Sequence, residues 1–199
     1  GVGMLVIVLS SLILIFGGGH LFSSLMVSRY YTPDPRPVIG GTTDDAAEVV
    51  WIDKWMAEGK KQYVNCQTCH QPTGLGQPGL YPPLVGSEWV DGGTKRLGAI
   101  LLHGINGPFR VAGQNYNQLM PPWNTMSDEK IAQVITYIRR SFGSLPEGED
   151  GVVTTEMIKA AREEFKSQTV PYTEAELLAI PADENLPGAK VNLETGEPL

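Results

Sequence analysis

The chain has 199 residues, a formal net charge of −7 and 19% charged side chains, enough for one domain of ordinary size with added segments, or for two small ones. The charge is uneven: residues 44–143 carry nine acids and nine bases, whereas residues 144–199 carry twelve acids against four bases. Lacking a basic stretch, the chain has no electrostatic footprint for nucleic acid, and that partner class is excluded.

Residues 1–28 contain no Asp, Glu, Lys or Arg and include apolar runs at 4–9 and 12–16. Roughly 20 such residues in a helix cross a hydrocarbon core about 30 Å thick. A cleaved secretory signal has an apolar region of only about 7–15 residues, so the longer run predicts a retained single-span anchor. Gly17-Gly18-Gly19-His20 interrupts it, as a tolerated kink or as a packing face for another membrane helix. His20 fits an interfacial position better than a ligand. Tyr30-Tyr31 supplies interfacial aromatics, and Thr32-Pro33-Asp34-Pro35-Arg36-Pro37 with Gly40-Gly41 makes residues 29–43 a semi-rigid linker.

Thr43-Asp44-Asp45 offers a cap and first-turn acids for a helix running toward Gln62-Tyr63. Gly59 within it is either a close-approach point or a weak spot. The helix leads into Cys66-Gln67-Thr68-Cys69-His70. Two thiols three positions apart, followed at once by an imidazole, can add across the vinyl groups of a haem while the histidine ligates its iron. A tetrahedral zinc site needs two more Cys or His ligands at suitable spacing, but the chain has two cysteines, and its other histidines are His20 and His103. A redox dithiol expects a βαβ context, which the flanking residues do not supply.

Beyond His70 the chain turns to loop, with Pro72, Gly74, Gly76, Pro78 and Gly79. A ligating histidine donates its other ring N–H to an acceptor, for which a carbonyl in Pro82-Pro83 is a candidate; ordinary turn chemistry is the other reading. Residues 95–103 predict a short helix ended by Gly104. Three groups could supply a sixth iron ligand: Met120, 50 residues beyond His70 in a proline-stiffened loop, Met126, and His103, which is expected to face out. Residues 127–142 read as the clearest helix, with Ser127 as cap, Asp128-Glu129 first, Arg139-Arg140 last, and an apolar stripe of Ile131, Val134, Ile135 and Ile138. After Gly143 follow a turn-rich linker, a short helix over about 156–168 capped at Thr154 or Thr155, and one or two turns near 172–178. Residues 181–199 lack periodicity and read as disordered or laid over a partner.

From Trp55 to Phe142 the sequence resembles a class I cytochrome c domain of the bacterial, membrane-anchored, single-haem kind. The segments GKKQYVNCQTCH, YPPLVGS, LHGINGP, LMPPW and IAQVITYIRRSFG carry the likeness, in the family's order. The resemblance implies an all-α fold in which the first and last helices cross at Gly59 and Tyr137. It also implies that Pro82 accepts the His70 ring N–H and that Met120 is the sixth ligand. Haem c attached through Cys66 and Cys69 then serves as a one-electron carrier rather than an enzyme. A haem that merely staples a docking subunit, or an enzyme with an open iron position, are the alternatives. The expected organisation is an anchor (1–28), a linker (29–43), a haem domain (44–143) and an irregular acidic extension (144–199). The anchor and extension suggest a subunit of a respiratory assembly, such as an alternative complex III or a terminal oxidase, in a bacterial cytoplasmic membrane. Covalent haem c is assembled on the outer face, so the haem domain is expected there, meeting redox donor and acceptor proteins. The extension, with Val152, Val153, Phe165, Tyr172, Leu177 and Leu178, is expected to wrap a neighbouring membrane subunit as mostly extended chain with one short helix.

Overall fold

The computed structural model describes residues 50–199. The predicted span, the linker and the cap at Thr43-Asp44-Asp45 lie outside the described residues, among which no helix is long and apolar enough to cross a membrane. Seven helices are described: α1 (Trp51–Tyr63), α2 (Gln67–His70), α3 (Glu88–Asp91), α4 (Thr94–His103), α5 (Asp128–Phe142), α6 (Thr155–Glu164) and α7 (Glu174–Leu178). A hairpin of β1 (Phe109–Val111) and β2 (Gln114–Tyr116) sits between α4 and α5. It qualifies the all-α expectation. Its turn holds Ala112 and Gly113 at φ +48° and +77°, a pairing of positive φ values that matches the strand twist. An alanine there is a poor turn signal, so the hairpin could not be read in advance.

α5 forms as its sequence dictates. The Ser127 side chain accepts from the Lys130 N–H, and Ile131, Val134, Ile135 and Ile138 are buried. α1 crosses it where a Cβ on Gly59 would lie 2.2 Å from the Gln133 carbonyl oxygen and 2.8 Å from Tyr137 Cβ. Gly59 is therefore a close-approach point. One turn on, the fully buried Thr136 hydroxyl accepts from the Trp55 indole (3.2 Å) and the Val153 N–H (3.0 Å). That hydroxyl joins α1, α5 and the extension. Arg139, in the last turn of α5 as expected, is buried and donates to the carbonyls of Val90 and Gly92, tying α5 to α3.

The extension departs most from expectation. Five of the six apolar residues reserved for a neighbouring subunit, Val152, Val153, Phe165, Tyr172 and Leu177, are buried in this chain's own fold, and only Leu178 is exposed. α6 packs against α4 and α5, with Ile158 and Ala161 wholly buried. The extension therefore contains two helices, and most of the apolar side chains expected to meet a neighbour are already covered within this chain. His103, expected to face out, lies under the rings of Tyr172 and Phe165 at 5.7 and 6.4 Å. Burial and the nearby Arg162 guanidinium keep its pKa below the usual histidine value, against a backbone hydrogen bond at Gln168.

Residues 181–199 are ordered against the domain because two helix starts need their polar groups. An α-helix leaves its first N–H groups unpaired, and neither α1 nor α4 has a side-chain cap. At α4, Lys95 N–H donates to Glu184 O (3.1 Å), Thr94 N–H to Asn185 Oδ1 (2.9 Å), and Leu186 N–H returns to Thr94 Oγ1 (2.8 Å). At α1, Trp51 and Ile52 donate to the carbonyls of Glu194 (2.9 Å) and Leu193 (3.0 Å). Val50 stands in an extended conformation (ψ 150°), so the helix begins at Trp51 rather than running through from the predicted cap.

Candidate haem-binding site

α1 delivers the chain to the site. The Cys66 N–H bonds to the Tyr63 carbonyl (2.8 Å) and the His70 N–H to the Cys66 carbonyl (2.9 Å), closing one turn in which residues three apart share a side. The turn then stops sharply at Gln71, whose φ of +63° is unusual for a side-chain-bearing residue. Such a conformation costs on the order of 1–3 kcal/mol and persists only where its surroundings impose it. Here the Tyr63 hydroxyl donates to the Gln71 carbonyl at 2.7 Å. Tyr63 is fully buried against the rings of Tyr137 and Phe142.

The loop after Gln71 returns a carbonyl to the histidine. His70 Nδ1–H donates to Pro82 O at 3.0 Å. Because a carbonyl can only accept, the proton belongs on Nδ1 and the Nε2 lone pair is left for a metal. Gly76 brings this loop close: its N–H donates to the His70 carbonyl at 3.0 Å, and a Cβ on it would meet the Tyr81 and Pro82 carbonyl oxygens at 2.5 Å. Only glycine fits there. Burial lowers the His70 pKa, partly offset by the Pro82 hydrogen bond, so the imidazole is held in the neutral form that ligates metals. Burial, with Cys69 beside it, pushes the Cys66 thiol up to about 11. A redox dithiol instead depends on a lowered thiol pKa.

A cavity of about 260 Å³ opens against this turn, lined by Cys66, Cys69, His70 and Pro82 on one part of its wall and by Ile105, Phe109, Tyr116, Met120 and Trp123 on the rest. A smaller cavity of about 60 Å³ shares Cys66, His70, Pro82 and Met120 and reaches Leu97, Leu101 and Ile138. All five residues expected to hold a cofactor thus meet at one apolar cleft. Of the three candidate sixth ligands, Met120 lines both cavities, whereas Met126 and His103 line neither. A neutral imidazole with a free Nε2, two adjacent thiols, a thioether and a dry, largely aromatic and aliphatic wall fit a large planar, apolar metal macrocycle.

Tyr63, Gly76 and Ile105 shape the site without having been singled out from sequence. Ile105 exchanges both backbone hydrogen bonds with Met120, N–H to O at 3.0 Å in each direction. Gly104 before it has φ +75°, and a Cβ on it would lie 2.2 Å from the Met120 carbonyl oxygen. Gly104 therefore ends α4 and also admits the Met120 segment. The first role was legible as a helix stop; the second depends on a neighbour distant in sequence.

Comparison with known proteins agrees with this geometry. A family model described as cytochrome c matches residues 56–141. Two similar proteins, both named cytochrome c-552 and both from Thermus thermophilus, are each 40% identical over 91 residues. The aligned region covers 44% of this chain, and 70% and 62% of theirs respectively. α6, α7 and the segment after them lie beyond the residues that the family model matches.

Proposed function

The chain belongs to the cytochrome c family of covalent haem c electron carriers, and from that premise we propose that Cys66 and Cys69 form the thioether links, that His70 and Met120 are the axial ligands, and that the protein works as a one-electron relay. The observation that carries this reading is the shared cleft, in which those four residues meet while Met126 and His103 stand outside. Bound haem supplies a one-electron iron couple. The residues here set its surroundings: Pro82 fixes the His70 ring and makes it a better donor, the thioether of Met120 raises the potential, and Leu97, Leu101, Phe109 and Ile138 keep water away. With protein groups on both sides, the relay has no position for a substrate. Reduced holoprotein is therefore expected to keep its spectrum under carbon monoxide at neutral pH. Stoichiometric binding would instead identify an open iron position and an enzyme.

The same reading makes residues 1–28 a single membrane span, N-terminus inside, with the haem domain on the periplasmic face of a bacterial cytoplasmic membrane. There the protein serves as a subunit of a respiratory complex, such as an alternative complex III or a terminal oxidase, and meets redox donor and acceptor proteins. Its support is the uncharged stretch at 1–28, together with the outward assembly of covalent haem c. Arg29 and Arg36 then lie on the side that basic residues disfavour. Protease added to spheroplasts is expected to release the haem domain; complete protection would overturn the orientation.

A further inference from the structure

We propose that the C-terminal extension is a clamp on the segment bearing Met120, with Arg162 as its positioning residue, so that it governs how readily Met120 leaves the iron; this rests on the axial reading of Met120 given above. The extension holds that segment directly at its C-terminal end and, at Met120, through the intervening Ile105. On one side Tyr172 adds a further strand: its N–H donates to Gly104 O (3.0 Å) and its carbonyl accepts from Asn106 N–H (2.8 Å). Ile105 thereby pairs with Tyr172 in parallel on one edge and with Met120 in antiparallel on the other. The Tyr172 ring is locked edge-on against His103 and Phe165 at 5.7 and 6.2 Å.

On the other side Arg162 reaches across from α6. Its Nη1 and Nη2 donate to the carbonyls of Asn124 (2.8 Å) and Met126 (2.6 Å), and its Nε to Asp128 Oδ1. One rigid guanidinium thus binds two carbonyls of the loop before α5 and the first residue of α5. Trp123 N–H also donates to Leu101 O (2.8 Å), so residues 120–128 are held from α4, from Ile105 and from the extension together. A methionine side chain can turn its sulfur off a metal by itself, but clearing the site for another ligand is easier when its backbone can also swing away. Here such movement must break the Ile105 pairing or the Arg162 contacts.

The test is made on full-length oxidised holoprotein, with imidazole as the competing ligand. Arg162→Ala is expected to raise the imidazole binding rate roughly tenfold, in keeping with losing hydrogen bonds from a charged donor. It should also lower the pH at which the near-infrared sulfur-to-iron band disappears. Arg162→Lys should fall between, and Arg140→Ala, whose guanidinium bonds Asp150 instead, should match wild type. A lowered melting temperature with unchanged imidazole rate and band would overturn the proposal and leave the extension a purely structural layer. If Met120→Ala retains the wild-type band and rate, the axial reading itself fails. Independently of any variant, amide exchange in the native protein should show Ile105, Met120 and Tyr172 opening with one common free energy. Exchange of Met120 independent of Tyr172 would overturn the clamp.

Discussion

Met120→Ala is expected to abolish the near-infrared sulfur-to-iron band of the oxidised protein and to lower the midpoint potential by on the order of 100 mV, a modest share of the roughly 0.8 V that axial-ligand choice spans. A thioether is a neutral, polarisable donor that favours Fe(II), and no other side chain in the Met120 segment can replace it at the cleft. Met126→Ala should leave band and potential unchanged. Met126 lines neither cavity beside His70, and its carbonyl, which the substitution keeps, is the group that meets Arg162. Potentiometric titration of the two variants decides the matter. Should Met126→Ala lose the band while Met120→Ala keeps it, the sixth-ligand assignment is wrong.

Gly59→Ala should destabilise the domain, although alanine is the better helix former. In an isolated helix alanine is favoured over glycine by about 1 kcal/mol. At this crossing the new Cβ would stand 2.2 Å from the Gln133 carbonyl oxygen and 2.8 Å from its carbon. Those atoms belong to the backbone of α5 and cannot rotate aside, so the helices must part. Overpacking typically costs about 1–3 kcal/mol, and against backbone that cannot yield the upper end applies, which outweighs the propensity gain. A net loss of about 2 kcal/mol would lower the melting temperature by roughly 4–8 °C in a chain of this size. The effect should reach the site, because Tyr63, whose hydroxyl holds Gln71 beside His70, packs on Tyr137 of α5. Lys60→Ala, at the exposed next position, should shift melting little. Calorimetry showing Gly59→Ala as stable as wild type would mean that α1 and α5 are not in tight contact.

What could be read from sequence about this protein was written in local spacing. Cys66, Cys69 and His70 state their chemistry within five positions. Ser127 and Gly143 bound α5, Gly104 ends α4, and the stripe from Ile131 to Ile138 marks the buried face. Thr154, one of the two caps expected, begins α6, and α7 falls within the one or two turns expected near 172–178. Each of these is a matter of a few backbone torsions and one or two neighbouring hydrogen bonds, which adjacent residues decide. Tertiary structure decided which of Met120, Met126 and His103 lies at the cleft, why α1 starts at Trp51, and above all what the extension covers. Apolar side chains such as Val153, Phe165 and Leu177 declare that they must be buried, since exposing them to water is unfavourable, but the hydrophobic effect has no direction and does not name the surface that buries them. The uncapped starts of α4 and α1 offered the matching half of that information, invisible in sequence because their partners lie some ninety positions away, at Glu184 to Leu186, and more than a hundred and forty away, at Leu193 to Glu194, respectively.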